Sequence, residues 1–227
     1  MKKAATHGRQ PITIPAYTRG EELFNMISHV VGGALGIAVL VACVVSGALH
    51  RDAYGIVSGA VFGACMILLY AISSIYHGLS PRLGAKKVFR VLDHCAIFLL
   101  IAGTYTPFCL CAIREVSTPL GWTYFGVIWG LSAIGMTLCA LDFHRFRTVS
   151  MLLYLGLGWC VVLSFDVLCR ALAPQGIALL FSGGAAYTLG VVLFMLGRFV
   201  PYMHSVFHLF VLAGSILHSA CVLLYVL

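Results

Sequence analysis

Long apolar runs alternate along the chain with short charged ones. Seven runs contain no Lys, Arg, Asp or Glu: Leu23–His50, Ala53–Pro81, His94–Ile113, Val116–Leu141, Thr148–Phe165, Ala171–Gly197 and Phe199–Leu227. Each supplies the roughly 20 apolar residues that cross a hydrocarbon core about 30 Å thick. The fifth does so by continuing to about Cys169 and taking in Asp166. Membrane strands are about half as long and alternate in polarity. The pattern therefore predicts an all-α integral membrane protein, a bundle of seven transmembrane helices with short loops. Pro107, inside the third span, predicts a kink there.

Composition and charge refine this. The chain is 61% hydrophobic and 9% charged, against about 25% charged in soluble domains. The net charge of +7 reads as a topology signal, and no nucleic-acid partner is expected. Eleven Lys and Arg fall on one side: Lys2, Lys3, Arg9, Arg19, Arg82, Lys86, Lys87, Arg90, Arg145, Arg147 and Arg198. Arg51, Arg114 and Arg170 fall on the other. The positive-inside rule then predicts a cytoplasmic N-terminus and an outside C-terminus. A segment over residues 1–20, without the apolar core of a signal peptide, precedes one membrane domain over residues 21–227. The nine cysteines are scattered and odd in number. They read as small apolar fillers rather than a disulfide or thiolate-metal framework.

Polar residues concentrate at one set of helix ends. Glu21, Asn25 and His29 follow each other at four-residue steps where the first helix starts, and Ser73 and His77 are four apart where the second ends. Asp93 lies in the first turn of the third, and His204 and His208, just after Pro201, in the first two turns of the seventh. Residues i and i+4 share a helix face. With alternating directions, all four ends meet at one membrane depth, where ionisable groups are rare and usually functional. An isolated His-x3-His is more simply a hydrogen-bonded pair. Joined by His77, it makes three imidazoles, the ligand set of a catalytic zinc with one open position. Softer metals would call for more sulfur, magnesium or calcium for more oxygen. Asp93 could hold or deprotonate a metal-bound water, or support a ligand imidazole, with Ser73 hydrogen-bonding nearby. His29 could be a fourth ligand, a proton relay, or a packing residue bonded to Glu21 or Asn25. His94 is expected to point elsewhere, and His218 to lie far from the metal. Asp166 and Arg170 predict a local ion pair near the outer surface. Tyr105 could line a cavity.

These motifs resemble those of the progestin and adipoQ receptor superfamily, most closely its bacterial hemolysin III branch. Glu21, Asn25 and His29 fit the first family motif, Ser73, His77 and Asp93 the second, and His204 and His208 the third. "DHCAIFLLIAGTYTPF" from Asp93 to Phe108 is the most recognisable stretch, and the likeness runs over roughly residues 18 to 227. The resemblance implies a multi-pass protein of the bacterial inner membrane, zinc on the three histidines, and the aspartate beside the metal-bound water. Relatives that are lipid-amide hydrolases imply a ceramidase-like hydrolysis of a membrane lipid or lipid-like molecule, with Asp93 as base and later acid and Ser73 binding the oxyanion. The branch name implies an alternative: a non-enzymatic pore-forming cytolysin, or a regulator of membrane energetics, with zinc as a structural brace. The chain has no long soluble N-terminal domain, which speaks against hormone reception.

Overall fold

A computed structural model describes residues 12–50 and 52–227. Lys2, Lys3, Arg9 and Arg51 of the charge count lie outside the described residues. Seven helices are long and apolar enough to cross a membrane: α1 (Arg19–Leu49), α2 (Ala53–Gly78), α3 (Gly84–Val116), α4 (Thr118–Leu141), α5 (Arg147–Ala171), α6 (Pro174–Leu196) and α7 (Met203–Tyr225). The described residues contain no strand. Leu23, Val30, Ile37, Val57, Leu152 and Leu189 are among many large apolar side chains facing outward, as a lipid-bathed surface requires.

Helix α1 starts with a capping box. Thr18 Oγ1 accepts from the Glu21 N–H at 3.2 Å, and Glu21 Oε2 accepts from the Thr18 N–H at 2.8 Å. Helix α1 crosses α2 on small residues. A Cβ at Gly63 would lie 2.5 Å from Leu40 Cα, and one at Gly47 would lie 2.5 Å from the Ile56 nitrogen. Only glycine lets these backbones approach so closely. Helix α3 is the most buried span.

Helix α3 begins at Gly84, well before the apolar run that starts at His94. Charges end a hydropathic run, but they need not end a helix. Lys86 and Arg90 are buried within it, Lys86 against Glu22 and Arg90 with its guanidinium 5.0 Å from the centre of the Phe143 ring. Asp93 consequently sits in the third turn, not the first. Immediately after Pro107 the helix takes a π-helical stretch over Phe108–Ile113. Helix α5 is interrupted by a 3₁₀ segment, Cys160–Ser164. Loosened backbone groups inside a bilayer must find partners, and two tyrosines supply them. The Tyr105 hydroxyl donates to the Gly158 carbonyl at 3.1 Å and accepts from the Val161 N–H at 3.2 Å. The Tyr124 hydroxyl donates to the Cys160 carbonyl at 3.3 Å.

Helix α7 starts four residues after the apolar run opens, because Pro201 and a left-handed Tyr202 (φ 64°) intervene. The Tyr202 N–H donates to Glu21 Oε1 at 2.7 Å, which ties the start of α7 to the start of α1. Deeper in the bundle, Ser215 of α7 accepts from the Tyr70 hydroxyl (2.7 Å) and shares a hydrogen bond with the Tyr187 hydroxyl (2.9 Å), which joins α2, α6 and α7. All nine cysteines are free. The expected Asp166–Arg170 pair forms at 3.1 Å on the exposed surface.

Candidate metal centre

The start of α7 meets the end of α2. His77, His204 and His208 each offer a ring nitrogen, and these atoms lie within 4.8 Å of one another. Ring centroids are 5.4 Å apart for His77 and His204, 4.9 Å for His77 and His208, and 4.7 Å for His204 and His208. The residues are 2%, 7% and 1% exposed. His204 Nε2 faces His208 Nε2 at 3.1 Å. Two neutral imidazoles can place at most one proton in such a gap, whereas a cation satisfies both lone pairs. His77 Nε2 is buried with no hydrogen-bond partner. Three buried imidazoles, with the Nε2 of His77 orphaned, form a group that could hold a metal ion.

The orientation of His77 comes from the first helix. Glu22 Oε2 lies 2.6 Å from His77 Nδ1, so Nδ1 carries the proton and Nε2 keeps its lone pair. A carboxylate behind a ligand imidazole is the usual support of a metal-bound histidine. Asn25 Nδ2 comes to 3.5 Å of the same Nδ1. The other Glu22 oxygen accepts from Lys86 Nζ at 2.7 Å.

The remaining expected residues divide. Glu21 does not touch the histidines, because its carboxylate is committed to Thr18 and to the Tyr202 N–H. Asn25 is fully buried beside His77. His29 stacks on His208 with centroids 3.8 Å apart and meets Tyr70 edge-on at 5.0 Å. Its two ring nitrogens are unpartnered, and it bonds neither Glu21 nor Asn25. Ser73 is buried one turn before His77 on the same face of α2. Asp93 and His204 both line a cavity of about 170 Å³ between α3, α5, α6 and α7. His94, expected to point elsewhere, lines that cavity too, 3.9 Å from the Asp93 carboxylate. Neighbouring helix residues diverge by about 100°, which is compatible with a shared wall when the space is wide. Tyr105, Trp159 and His218 line its far end. From His204 to His218 the helix rises roughly 21 Å.

Two contacts escaped the sequence reading. Glu22 precedes Asn25 by three residues and Glu21 precedes it by four. Both spacings put residues on one face, so periodicity alone cannot choose between them. Tyr17, just ahead of α1, stacks on His204 at 5.0 Å and lies 5.9 Å from His77. Burial pushes its phenol pKa up, so the hydroxyl stays protonated at neutral pH.

The family described as "Haemolysin-III related" matches residues 17–219. The chain belongs to the haemolysin-III-related family. This haemolysin-III-related protein is 39% identical over 208 residues to Hemolysin-3 of Bacillus cereus, covering 91% of this chain and 92% of that protein. It is 36% identical over 209 residues to a Hemolysin-3 homolog of Bacillus subtilis, covering 92% and 96%. A human protein, monocyte to macrophage differentiation factor, is 28% identical over 190 residues, covering 79% and 76%. With its seven apolar helices and bacterial relatives, the haemolysin-III-related chain is a multi-pass membrane protein of the plasma membrane.

Proposed function

We propose that this haemolysin-III-related protein is a zinc-dependent hydrolase that cleaves an amide or ester bond of a lipid-like molecule at the inner leaflet. The observation that carries the reading is the meeting of three buried imidazoles with an apolar cavity whose wall contains Asp93. An all-nitrogen donor set suits zinc better than a hard cation. Nitrogens bound to one tetrahedral ion at about 2.0–2.1 Å stand about 3.4 Å apart, close to the 3.1 Å between His204 and His208. Three protein ligands leave one position for chemistry. Zinc, once bound, supplies Lewis acidity toward a carbonyl oxygen or a water molecule.

The chain's own residues do the rest. His77, His204 and His208 hold the ion. Asp93 takes a proton from the attacking water and returns it to the departing amine or alcohol. The Ser73 hydroxyl donates to the developing oxyanion. The apolar cavity, whose lining runs from His204 to His218, keeps a hydrocarbon part of the substrate out of water. The excess of Lys and Arg at this end supports a cytoplasmic side for the site. Purified protein assayed on lipid amides and esters should turn over substrate, lose that activity to a chelator and regain it with zinc. Absence of turnover across both bond types would sink the reading.

The name of the Bacillus cereus relative, Hemolysin-3, supports a second reading: a non-enzymatic cytolysin or regulator of membrane energetics, in which the ion braces α2 against α7. Liposome leakage that survives His204→Ala would favour it.

A further inference from the structure

Lys86 is 0% exposed, in a span of a membrane protein, where an unpaired ammonium is costly. It is not unpaired. Its Nζ donates to Glu22 Oε1 at 2.7 Å and to the Leu79 carbonyl at 2.8 Å, and the centre of the Tyr76 ring lies 5.0 Å away. The two Glu22 oxygens are thus shared out, Oε1 to Lys86 and Oε2 to His77 Nδ1 at 2.6 Å. A carboxylate held at one oxygen has one rotamer to offer at the other. Three helices meet in this chain of contacts: α3 supplies the cation, α1 the carboxylate and α2 the imidazole.

Resting on the metal reading above, we infer that Lys86 is a positioning residue of the metal centre, acting through Glu22 to fix the His77 ring with Nδ1 protonated and Nε2 turned toward the ion. Without Lys86, Glu22 keeps a single anchor, and the Asn25 amide, whose nitrogen lies 3.5 Å from His77 Nδ1, can donate to that nitrogen and favour the opposite tautomer. The lysine touches no metal ligand itself. Nothing in its sequence context, a basic run between two apolar ones, distinguishes it from Lys87.

The test uses full-length protein in neutral detergent, with zinc affinity read by competition against a graded series of chelators. Glu22→Gln should weaken zinc about 10- to 100-fold, the usual effect of removing a direct partner of a ligand, and Lys86→Met, one contact further out, about 3- to 10-fold. On a His77→Ala background, Lys86→Met should weaken it by less than about 2-fold, because its route to the ion is gone. Wild-type affinity in Lys86→Met, or the same loss with and without His77, overturns the positioning role. If Lys86→Met does not fold, Glu22→Gln, which keeps the shape of the side chain, decides alone, and unchanged affinity there overturns the inference. A wild-type protein without a saturable zinc site, or a His208→Ala variant that binds as tightly as wild type, overturns the metal reading itself.

Discussion

Two adjacent glutamates should differ in whether their loss reaches the metal site. The Glu21 carboxylate accepts from the Thr18 N–H at 2.8 Å, the Thr18 hydroxyl at 2.9 Å and the Tyr202 N–H at 2.7 Å. Glu21→Ala leaves the Thr18 cap but removes the reciprocal half of the capping box, worth about 0.5–1.5 kcal/mol as a hydrogen bond. It also removes a charge-assisted bond to a backbone donor, worth about 1.5–3 kcal/mol. The left-handed Tyr202 then keeps its strain with nothing to offset it. The expected loss is roughly 2–4 kcal/mol, or about 5–15 °C in melting temperature for a chain of this length. Zinc affinity should change by less than about 3-fold, because Glu21 touches none of the three histidines and outer-shell effects of 10-fold or more belong to direct partners. Glu22→Gln should weaken zinc about 10- to 100-fold, and because it also strips the buried Lys86 of its counter-ion it should lower melting as well. Thermal unfolding in detergent and chelator competition on the same preparations measure both quantities. If Glu21→Ala loses metal as Glu22→Gln does, with melting unmoved, the division of labour between them is wrong.

Asp93→Asn should reduce lipid hydrolysis by about 10²–10⁴-fold and leave zinc stoichiometry at the wild-type value. Loss of the metal would make Asp93 a structural support instead. Tyr105→Phe strands the Gly158 carbonyl and the Val161 N–H and should cost about 1–3 kcal/mol in thermal unfolding without altering zinc affinity. Cys169 is the one exposed cysteine among nine. A membrane-impermeant maleimide should label it from outside intact cells, and labelling only after lysis would reverse the orientation.

The seven spans were legible because the bilayer imposes a length on every apolar run. The histidine cluster was legible because helix direction alternates, so polar residues at the end of one span and the start of another must share a depth. His77, His204 and His208 needed only that parity. What periodicity could not supply was the choice within a face: Glu21 and Glu22 both qualify, and only the left-handed Tyr202 decides which is taken up elsewhere. Nor could hydropathy find the true start of α3. Lys86 and Arg90 look like loop residues until their partners, Glu22 and Phe143, are brought in from distant parts of the chain. The 3₁₀ break in α5 was hidden for a related reason. Its backbone is completed by Tyr105 and Tyr124 from α3 and α4, so no proline or glycine at 160–164 advertises it.

Tyr17 lays its ring against His204 from a segment that is not yet helix. A chelating tag fused ahead of Tyr17 would therefore be tethered to the segment that packs on the histidine cluster. An oligohistidine purification handle at that terminus would be a rival chelator at high local concentration, and could titrate as a second zinc site or empty the first. Handles for any zinc measurement belong after Leu227, at the opposite membrane face.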